Sequence, residues 1–263
     1  MNTLTIVDCR AVTKRFYFDE HRPVSLRERF IRTVLRKNFK VRHTGFAIRD
    51  VTLQILPGEN VALVGSNGSG KSSMLRLIAG IYQPSEGTIV TRGRIAPIIE
   101  LGAGFHKELT GAENIALYAA VLGLSRRDLA ASYDEILDFS GMAEHLDTPM
   151  KYLSSGMEAR LAFSVAVCVS PDLLLLDEVL AVGDHEFQQR CFDRLRAYNK
   201  GGGTIVLVSH NFSQIREFCS RAIWLERGAV RMDGEATKVL EAFGNAPSNA
   251  RVSGDLVPEY GAA

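Results

Sequence analysis

The sequence predicts an α/β fold whose parallel β-sheet is interrupted by a helical block at about residues 105–156. Short apolar runs of strand length alternate with segments of helical periodicity, which is the pattern of βαβ units. The chain has 263 residues, of which 46% are hydrophobic and 23% charged. This length and composition fit one large folded domain with a modest inserted subdomain.

The amino-terminal part is predicted to be rich in strands. A Pro57-Gly58 turn separates the second strand from the third, which is short and wholly apolar. A glycine-rich loop then leads into a helix at 72–79. The predicted strands of this part lie at 4–12, 47–56, 60–64, 88–90 and 95–99.

The carboxy-terminal part continues the alternation after the helical block. Thr110 and Glu113 have the spacing of a capping box, and Pro171 precedes an apolar strand. From Gly244 onward Asn, Ser, Pro, Gly and Ala dominate, so a loose tail is expected at 244–263. The predicted elements are helices at 110–123, 125–139, 157–169 and 187–199, and strands at 173–176, 204–208, 222–226 and 229–232.

Composition excludes several classes of protein. Lysine and arginine total 31 against 30 acidic residues, so no overall basic field predicts nucleic-acid binding. No apolar run approaches the roughly 18 residues of a membrane span, and the polar start is unlike a signal peptide. A soluble or peripheral protein of a reducing compartment is expected. The four cysteines are scattered and have no CxxC spacing, so neither disulfides nor a metal site is predicted. They are assigned to the core together with Met74: Cys9, Cys168, Cys191 and Cys219.

Basic residues are concentrated between Arg22 and Arg42. Eight basic residues and one acid give this segment a charge of +7, which leaves −6 for the remainder because the whole chain carries +1. Apolar residues recur there at helical spacing, which predicts a short basic amphipathic helix at 22–42. The helix belongs to an insertion at about 19–45 between two strands. Two interpretations stay open: a solvated helix, or a helix at a membrane interface whose arginines meet lipid headgroups or pyrophosphate.

The glycine-rich loop matches the pattern GxxxxGK[ST] between a strand and a helix. Its glycines allow successive backbone N–H groups to point at phosphate oxygens. Lys71 adds a positive charge near the β- and γ-phosphates, and the Ser72 hydroxyl can bind Mg²⁺. The positive end of the following helix favours the same anion. The predicted phosphate-binding residues are Gly65, Ser66, Asn67, Gly68, Ser69, Gly70, Lys71, Ser72 and Ser73.

Two acids, Asp177 and Glu178, end the apolar strand at 173–176. Strands of this kind deliver their last residues to the sheet edge where ligands bind in open α/β folds. Asp177 is therefore expected to hold Mg²⁺, and Glu178 to polarise the water that attacks the γ-phosphate. Considered alone, the pattern also fits an ordinary strand that runs into an acidic turn.

Two polar motifs accompany the acidic strand. Ser154, Ser155 and Gly156 open the helix that precedes it, which alone indicates only a capped helix start. His210 follows the strand at 204–208 and could sense the γ-phosphate from there, although a lone histidine in such a place is usually structural.

Together these motifs resemble the ATP-binding subunit of an ABC transporter, over roughly residues 4–243. The resemblance implies a P-loop ABC ATPase core at 1–243 with a parallel sheet, an antiparallel β part and an inserted helical subdomain. It implies two subunits that enclose two MgATP molecules head to tail, with Ser154 and Gly156 bound to the γ-phosphate on the other copy. The implied motifs are Walker A at 65–72, Walker B at 173–177, the signature loop at 154–157, the D-loop at 181–184, the catalytic Glu178 and the switch His210.

Several residues differ from the common family pattern, and these differences indicate one branch of the family. Ser155 and Met157 replace a Gly and the Gln of the usual signature, and Glu100 stands at the Q-loop position, where it is expected near Mg²⁺ and ATP. With the Leu101-Gly102 pair and the basic insertion, these features resemble the bacterial polysaccharide-export branch. That branch carries a gate helix at the insertion, and some members add a sugar-binding domain that is not expected in the short tail here.

An aromatic residue near the first strand is implied to stack on adenine. Phe16 is the first choice, while Tyr17, Phe18 and Phe46 stay open, as does ordinary core packing for each of them. The activity implied is ATP hydrolysis coupled to export of a lipid-linked polysaccharide such as O-antigen or capsule. A separate polytopic membrane subunit and peripheral attachment to the cytoplasmic face of the inner membrane are expected. Another ABC transport substrate, or a soluble ABC ATPase acting on ribosomes or DNA, is the alternative.

Overall fold

The computed structural model of the chain describes residues 5–19, 42–99, 102, 104–178 and 183–246. It confirms the predicted α/β class, with strands in two sheets and helices packed around them. In chain order the strands are β1 Val7–Asp19, β2 Arg42–Ile55, β3 Asn60–Val64, β4 Glu86–Thr91, β5 Ile95–Ile98, β6 Leu173–Asp177, β7 Thr204–Val208, β8 Arg221–Glu226 and β9 Ala229–Glu235.

The larger sheet has six strands in the order β5-β6-β7-β3-β8-β9. The first five strands of that order run parallel to one another, and β9 pairs antiparallel with β8 at the edge. Because β3, β6 and β7 are parallel neighbours, the residues that follow them meet at one edge of the sheet.

The smaller sheet is antiparallel, in the order β2-β1-β4. Strands β1 and β2 pair from Val7↔Ile55 to Asp19↔Arg42, so both strands are longer than predicted. The sequence prediction missed these extensions because polar residues there hide the strand pattern until the two strands are seen to pair. The predicted basic helix at 22–42 lies outside the described residues, apart from Arg42, which begins β2.

Seven α-helices are described, and the five helices predicted within the described residues are confirmed to within a few residues. They are α1 Lys71–Ile78, α2 Gly111–Val121, α3 Arg126–Ser140, α4 Ser155–Cys168, α5 His185–Lys200, α6 Phe212–Phe218 and α7 Ala236–Asn245. The capping box at Thr110 and Glu113 is present at the start of α2. The sequence prediction missed α6 and α7, and α7 continues past Gly244, where the loose tail was expected to begin.

The strands of the larger sheet contribute alternate residues to two hydrophobic clusters. Leu174 and Leu176 pack with the helical block, whereas Leu173 and Leu175 pack with α1 and the smaller sheet. All four cysteines are buried and free, and Met74 is fully buried, as predicted. Among the described residues, no helix has the length and apolar character needed to cross a membrane.

Candidate active site

The glycine-rich loop connects β3 to α1 in a tightly curled conformation. Gly65 and Gly70 have φ angles of +152° and +106°, which residues with a side chain rarely adopt. A Cβ at Gly65 would lie 2.3 Å from the Leu225 carbonyl oxygen, and one at Gly70 would lie 2.4 Å from that of Ala47. Glycine is therefore required at both positions. The loop is held against β2 and β8 with its backbone closely packed.

The Lys71 side chain folds back onto this loop and binds its backbone. Its Nζ donates hydrogen bonds of 2.9 Å to the carbonyl oxygens of Gly65 and Ser66, and only 7% of the residue is exposed. Burial lowers the pKa of Lys71, while the nearby charges of Glu178 and Asp177 oppose that change. The loop thus places one ammonium group at the start of α1, where the backbone N–H groups of the helix also favour an anion.

The remaining loop residues divide into exposed and buried ones. Asn67 and Gly68 are exposed at the tip, and Ser72 and Ser73 are half-buried on the first turn of α1. Ser69 is only 2% exposed, and its Oγ has no hydrogen-bond partner among the described residues. Its backbone N–H donates to the Ser66 carbonyl oxygen at 3.1 Å, which tightens the turn.

Asp177, at the end of β6, faces the loop. The Ser72 hydroxyl at the start of α1 lies near enough to this carboxylate to favour its charged form, so the strand end and the helix start are neighbours. Burial raises the pKa of Asp177, and the Ser72 hydroxyl partly offsets this rise. The charge of Arg76, one turn farther along α1, also favours the carboxylate. Sequence reasoning did not single out Arg76.

Glu178 and His210 form a pair at the adjoining strand ends. The Nε2 atom of His210 lies 2.9 Å from Oε1 of Glu178, and both side chains are about half exposed. Glu178 has a φ of +57°, unusual for a residue with a side chain, and its N–H donates to the Val208 carbonyl oxygen at 2.9 Å. The backbone therefore fixes this carboxylate at the same sheet edge as Lys71 and Asp177.

Comparison with known proteins identifies the family to which this site belongs. The model of a protein family described as "ABC transporter" matches residues 48–181. The chain is 48% identical over 197 residues to the O-antigen export system ATP-binding protein RfbB of Klebsiella pneumoniae, which covers 75% of this chain and 80% of that protein. The chain belongs to the ABC transporter family.

Two further comparisons agree with this assignment. The teichoic acids export ATP-binding protein TagH of Staphylococcus saprophyticus is 40% identical over 205 residues, which cover 78% of this chain and 77% of that protein. A solved ATP-binding subunit of an ABC transporter shares the fold with a TM-score of 0.71 at 22% identity, covering 93% of this chain and 97% of that structure. The predicted ABC-type ATPase is thus confirmed, as is the resemblance to the polysaccharide-export branch.

The residues predicted to form the signature loop lie at the start of α4. Ser154 is the N-cap residue, and its Oγ accepts a hydrogen bond from the Met157 N–H at 3.2 Å. The hydrogen bonds of Ser154 thus stay within its own helix start, whereas Lys71, Ser72, Asp177, Glu178 and His210 are brought together at the sheet edge. The binding roles predicted for Ser154 and Gly156 stay predictions. Glu100 and residues 181–182 of the predicted D-loop lie outside the described residues.

The structure describes the side chains of two candidate adenine-binding aromatics, Phe16 and Phe46, in different surroundings. The Phe16 ring packs edge-on against Tyr82, with 5.4 Å between ring centroids. The Phe46 ring lies beneath the guanidinium of Arg49 at 4.4 Å, one residue before Ala47, which contacts Gly70. Phe16 therefore stays a prediction, with Phe46 as the alternative. The side chains of Tyr17 and Phe18 lie outside the described ones.

Proposed function

We propose that the chain is the ATP-hydrolysing subunit of a bacterial exporter of a lipid-linked polysaccharide such as O-antigen or capsule. The observation that carries this proposal is the similarity over three quarters of the chain to two proteins named as O-antigen and teichoic acid export ATP-binding proteins. The chain would act at the cytoplasmic face of the inner membrane, attached to a separate polytopic subunit.

The strand-end geometry supports hydrolysis by this chain. Lys71 would neutralise phosphate charge at the helix start, since phosphoryl transfer depends mainly on positioning and charge stabilisation. Glu178 would orient the attacking water and accept its proton. His210, 2.9 Å from that carboxylate, would hold Glu178 in place and sense the γ-phosphate.

The donor set fits a magnesium ion. Ser72 and Asp177 supply a hydroxyl and a carboxylate from neighbouring elements, and Mg²⁺ prefers hard oxygen ligands completed by water and phosphate. Glu100 is the further predicted contributor from the sequence. When bound, the ion would neutralise charge on the β- and γ-phosphates.

The start of α4 supports a head-to-tail homodimer. Ser154 and Gly156 stand at a helix N-terminus, where backbone N–H groups favour an anion. In the proposed dimer this end would cover the γ-phosphate bound to the phosphate loop of the second copy. ATP binding would close the dimer and drive the membrane subunit, and hydrolysis would reopen it.

A mainly apolar cleft supports docking of a protein partner. It has a volume of about 540 Å³ and lies between α1 and α2, with Ile81, Pro97 and Val121 in its lining. Ile81 is 56% exposed and Val121 is 65% exposed, so large apolar side chains face solvent together at this cleft. We expect the membrane subunit to cover it.

The basic segment at 22–42 would complete the attachment as a gate helix. Its net charge of +7 suits an anionic surface such as lipid headgroups or the pyrophosphate of a lipid-linked glycan. Replacing Arg29, Arg32 and Arg36 together with Glu should impair export and leave the ATPase activity of the isolated chain unchanged. Unimpaired export would contradict this role.

Complementation of a deletion strain tests the proposed function. The wild-type gene should restore the surface polysaccharide, whereas Lys71→Ala should not, because the phosphate loop loses its ammonium group. Lys200→Ala, at the exposed end of α5, is the matched control and should complement fully. A mild-detergent pull-down should recover a stoichiometric polytopic membrane protein. Recovery of ribosomal proteins or DNA factors in its place would contradict the proposal.

A further inference from the structure

The loop that carries His210 is short and lies between two regular elements. It connects the end of β7 at Val208 with the start of α6 at Phe212. The His210 side chain is 55% exposed, and its Nε2 atom lies 2.9 Å from Oε1 of Glu178. A side chain this open to solvent is held by few packing contacts, so its position depends on the conformation of the loop that carries it.

The two neighbours of His210 in the chain, Ser209 and Asn211, are bound to each other. The Asn211 N–H donates a hydrogen bond of 3.0 Å to Ser209 Oγ. Asn211 Oδ1 accepts hydrogen bonds from the N–H groups of Ser213 and Gln214, at 3.0 and 3.3 Å, and so caps α6. The backbone on both sides of His210 is therefore folded into a tight turn at the helix start.

Gln214, on the first turn of α6, completes this arrangement. The Ser209 hydroxyl donates a hydrogen bond of 2.9 Å to Gln214 Oε1, while the Gln214 N–H donates to Asn211 Oδ1. One residue thus binds both neighbours of His210, one through its side chain and the other through its backbone. Linked hydrogen bonds polarise one another, so a closed network of this kind is stronger than its separate bonds. We call it the Ser209–Asn211–Gln214 network.

Helix α6 gives the network a fixed base. Ile215, next to Gln214, is fully buried. The Phe212 ring packs against Phe243 of α7 with 6.1 Å between ring centroids, and Phe243 in turn packs against Trp224 of β8 at 5.4 Å. The start of α6 is therefore attached to the core on the side away from His210.

The strand end gives the loop its second fixed point. The Val208 carbonyl oxygen accepts the Glu178 N–H at 2.9 Å, so the backbone just before Ser209 is tied to the residue that His210 contacts. His210 thus stands between an anchored strand end and an anchored helix. The Ser209–Asn211–Gln214 network connects the two across it.

We propose that Gln214 is a positioning residue for ATP hydrolysis, which holds His210 against Glu178 through Ser209 and Asn211. The inference rests on the proposed function, in which Glu178 would orient the attacking water and His210 would hold Glu178 in place. Without the Gln214 acceptor, the Ser209 hydroxyl loses its partner and the turn around His210 loosens. His210 would then spend less time beside Glu178.

Steady-state ATPase kinetics of the full chain, followed with radiolabelled ATP, test the inference. Gln214→Leu leaves a side chain of similar size without an acceptor, and kcat should fall by about tenfold, since small misplacements of a catalytic group have effects of this size. The KM for ATP and the affinity for a fluorescent ATP analogue should stay within about twofold of wild type, because the phosphate loop is unchanged.

Ser209 provides a second, independent pair of variants. Ser209→Ala removes the same hydrogen bond from its other end and should lower kcat similarly, whereas Ser209→Thr keeps the hydroxyl and should retain kcat near wild type. Ser213→Ala is the matched control, because it deletes a hydroxyl at an exposed position of the same helix. It should leave kcat near wild type.

The same Gln214 change in a His210→Ala background separates positioning from a structural role. His210→Ala alone should lower kcat, and adding Gln214→Leu should lower it no further, because no imidazole remains to be positioned. A merely structural role would lower kcat by the same factor in both backgrounds.

Three outcomes overturn the inference: wild-type kcat in Gln214→Leu, equal kcat in Ser209→Ala and Ser209→Thr, or an equal loss from Gln214→Leu in the two backgrounds. The Ser209 pair decides if Gln214→Leu does not fold. Wild-type kcat in His210→Ala would contradict the proposed role of His210 and the inference with it. When the inference alone fails, His210→Ala is slow and Gln214→Leu is not, so the two failures are distinguishable.

Discussion

The Nε2 atom of His210 and Oε1 of Glu178 lie 2.9 Å apart at the ends of two neighbouring parallel strands. Each residue is held by backbone hydrogen bonding beside it. Glu178 N–H donates to the Val208 carbonyl oxygen, and Asn211 caps α6 by accepting hydrogen bonds from the Ser213 and Gln214 N–H groups. The ends of the two strands therefore position the pair, and both side chains are about half exposed.

Glu178→Gln should retain ATP binding and lower turnover by about a hundredfold or more, the usual contribution of a general base. The amide keeps the shape of the carboxylate but cannot accept the proton of the attacking water. Phosphate release measures turnover, and equilibrium binding of a fluorescent ATP analogue measures affinity. Glu226→Gln, which changes a carboxylate paired with Arg231, is the control and should be fully active. Normal turnover in Glu178→Gln would remove the proposed role.

Phe16→Ala and Phe46→Ala together decide which ring stacks on adenine. Loss of the stacking residue should weaken ATP binding by about tenfold, because base–aromatic stacking contributes about 1–3 kcal/mol. Affinity for inorganic triphosphate, which has no base, should be unchanged in the same variant. We expect the loss of ATP affinity in Phe16→Ala. A loss confined to Phe46→Ala would assign the contact to Phe46. Wild-type affinity for ATP in both variants would exclude stacking by either ring.

The site could be predicted from the sequence because each motif is contiguous. The loop at 65–72 and the acidic strand end at Asp177 have fixed spacing, and parallel strands bring such ends to one edge. Helix α7 also carried a usable signal, since Ala236, Val239 and Leu240 have the spacing of a buried helix face.

Other features depend on partners that are remote in the sequence. The extension of β1 pairs Arg15 with Phe46, and nothing in the local pattern indicates which distant strand will supply the hydrogen bonds. The pair of Arg160 and Asp184 joins two helices that are adjacent only in the folded chain. The seven-residue α6 is too short for its periodicity to stand out, although Asn211 is a typical N-cap residue.

Val121→Lys should weaken association with the membrane subunit without changing the ATPase activity of the isolated chain. Val121 is the last residue of α2 and 65% exposed at the apolar cleft, so a charge there opposes docking while suiting a helix C-terminus. Val90→Lys, the same change at a 44% exposed position outside the cleft lining, is the control. Co-purification from detergent-solubilised membranes measures the association. Equal recovery of the membrane subunit with both variants would place the interface elsewhere.

The four cysteines should be unreactive in the folded protein at pH 8. Burial raises the pKa of each thiol to about 12, so the reactive thiolate is absent as well as inaccessible. A thiol-specific reagent should label none of them in the native state and all four after denaturation. The pKa of each thiol is raised only in the folded state, so burial of the protonated thiols makes its full contribution to the stability of the fold below the ordinary thiol pKa of about 8.5. That contribution is lost as the pH rises toward 12. Rapid native labelling at pH 8 would contradict this burial.

Asn114 should be among the most sensitive polar positions for stability. It is fully buried on α2, and its amide nitrogen donates to the carbonyl oxygens of His106, Leu109 and Thr110. Its Oδ1 accepts the His106 N–H at 2.7 Å, so one side chain organises the loop that enters the helical block.

Asn114→Ala should lower the free energy of unfolding by about 3 kcal/mol, because several buried backbone groups lose their partner and a cavity is left. Urea denaturation followed by circular dichroism measures this change. Asn245→Ala, at the exposed end of α7, is the matched control and should change stability by less than about 0.5 kcal/mol.

The loop held by Asn114 is also joined to the residues just before the predicted signature loop. The Lys151 N–H donates a hydrogen bond to the Lys107 carbonyl oxygen. Asn114→Ala should therefore also weaken ATP-driven dimerisation, and unchanged stability would show that the loop is held by its backbone contacts alone.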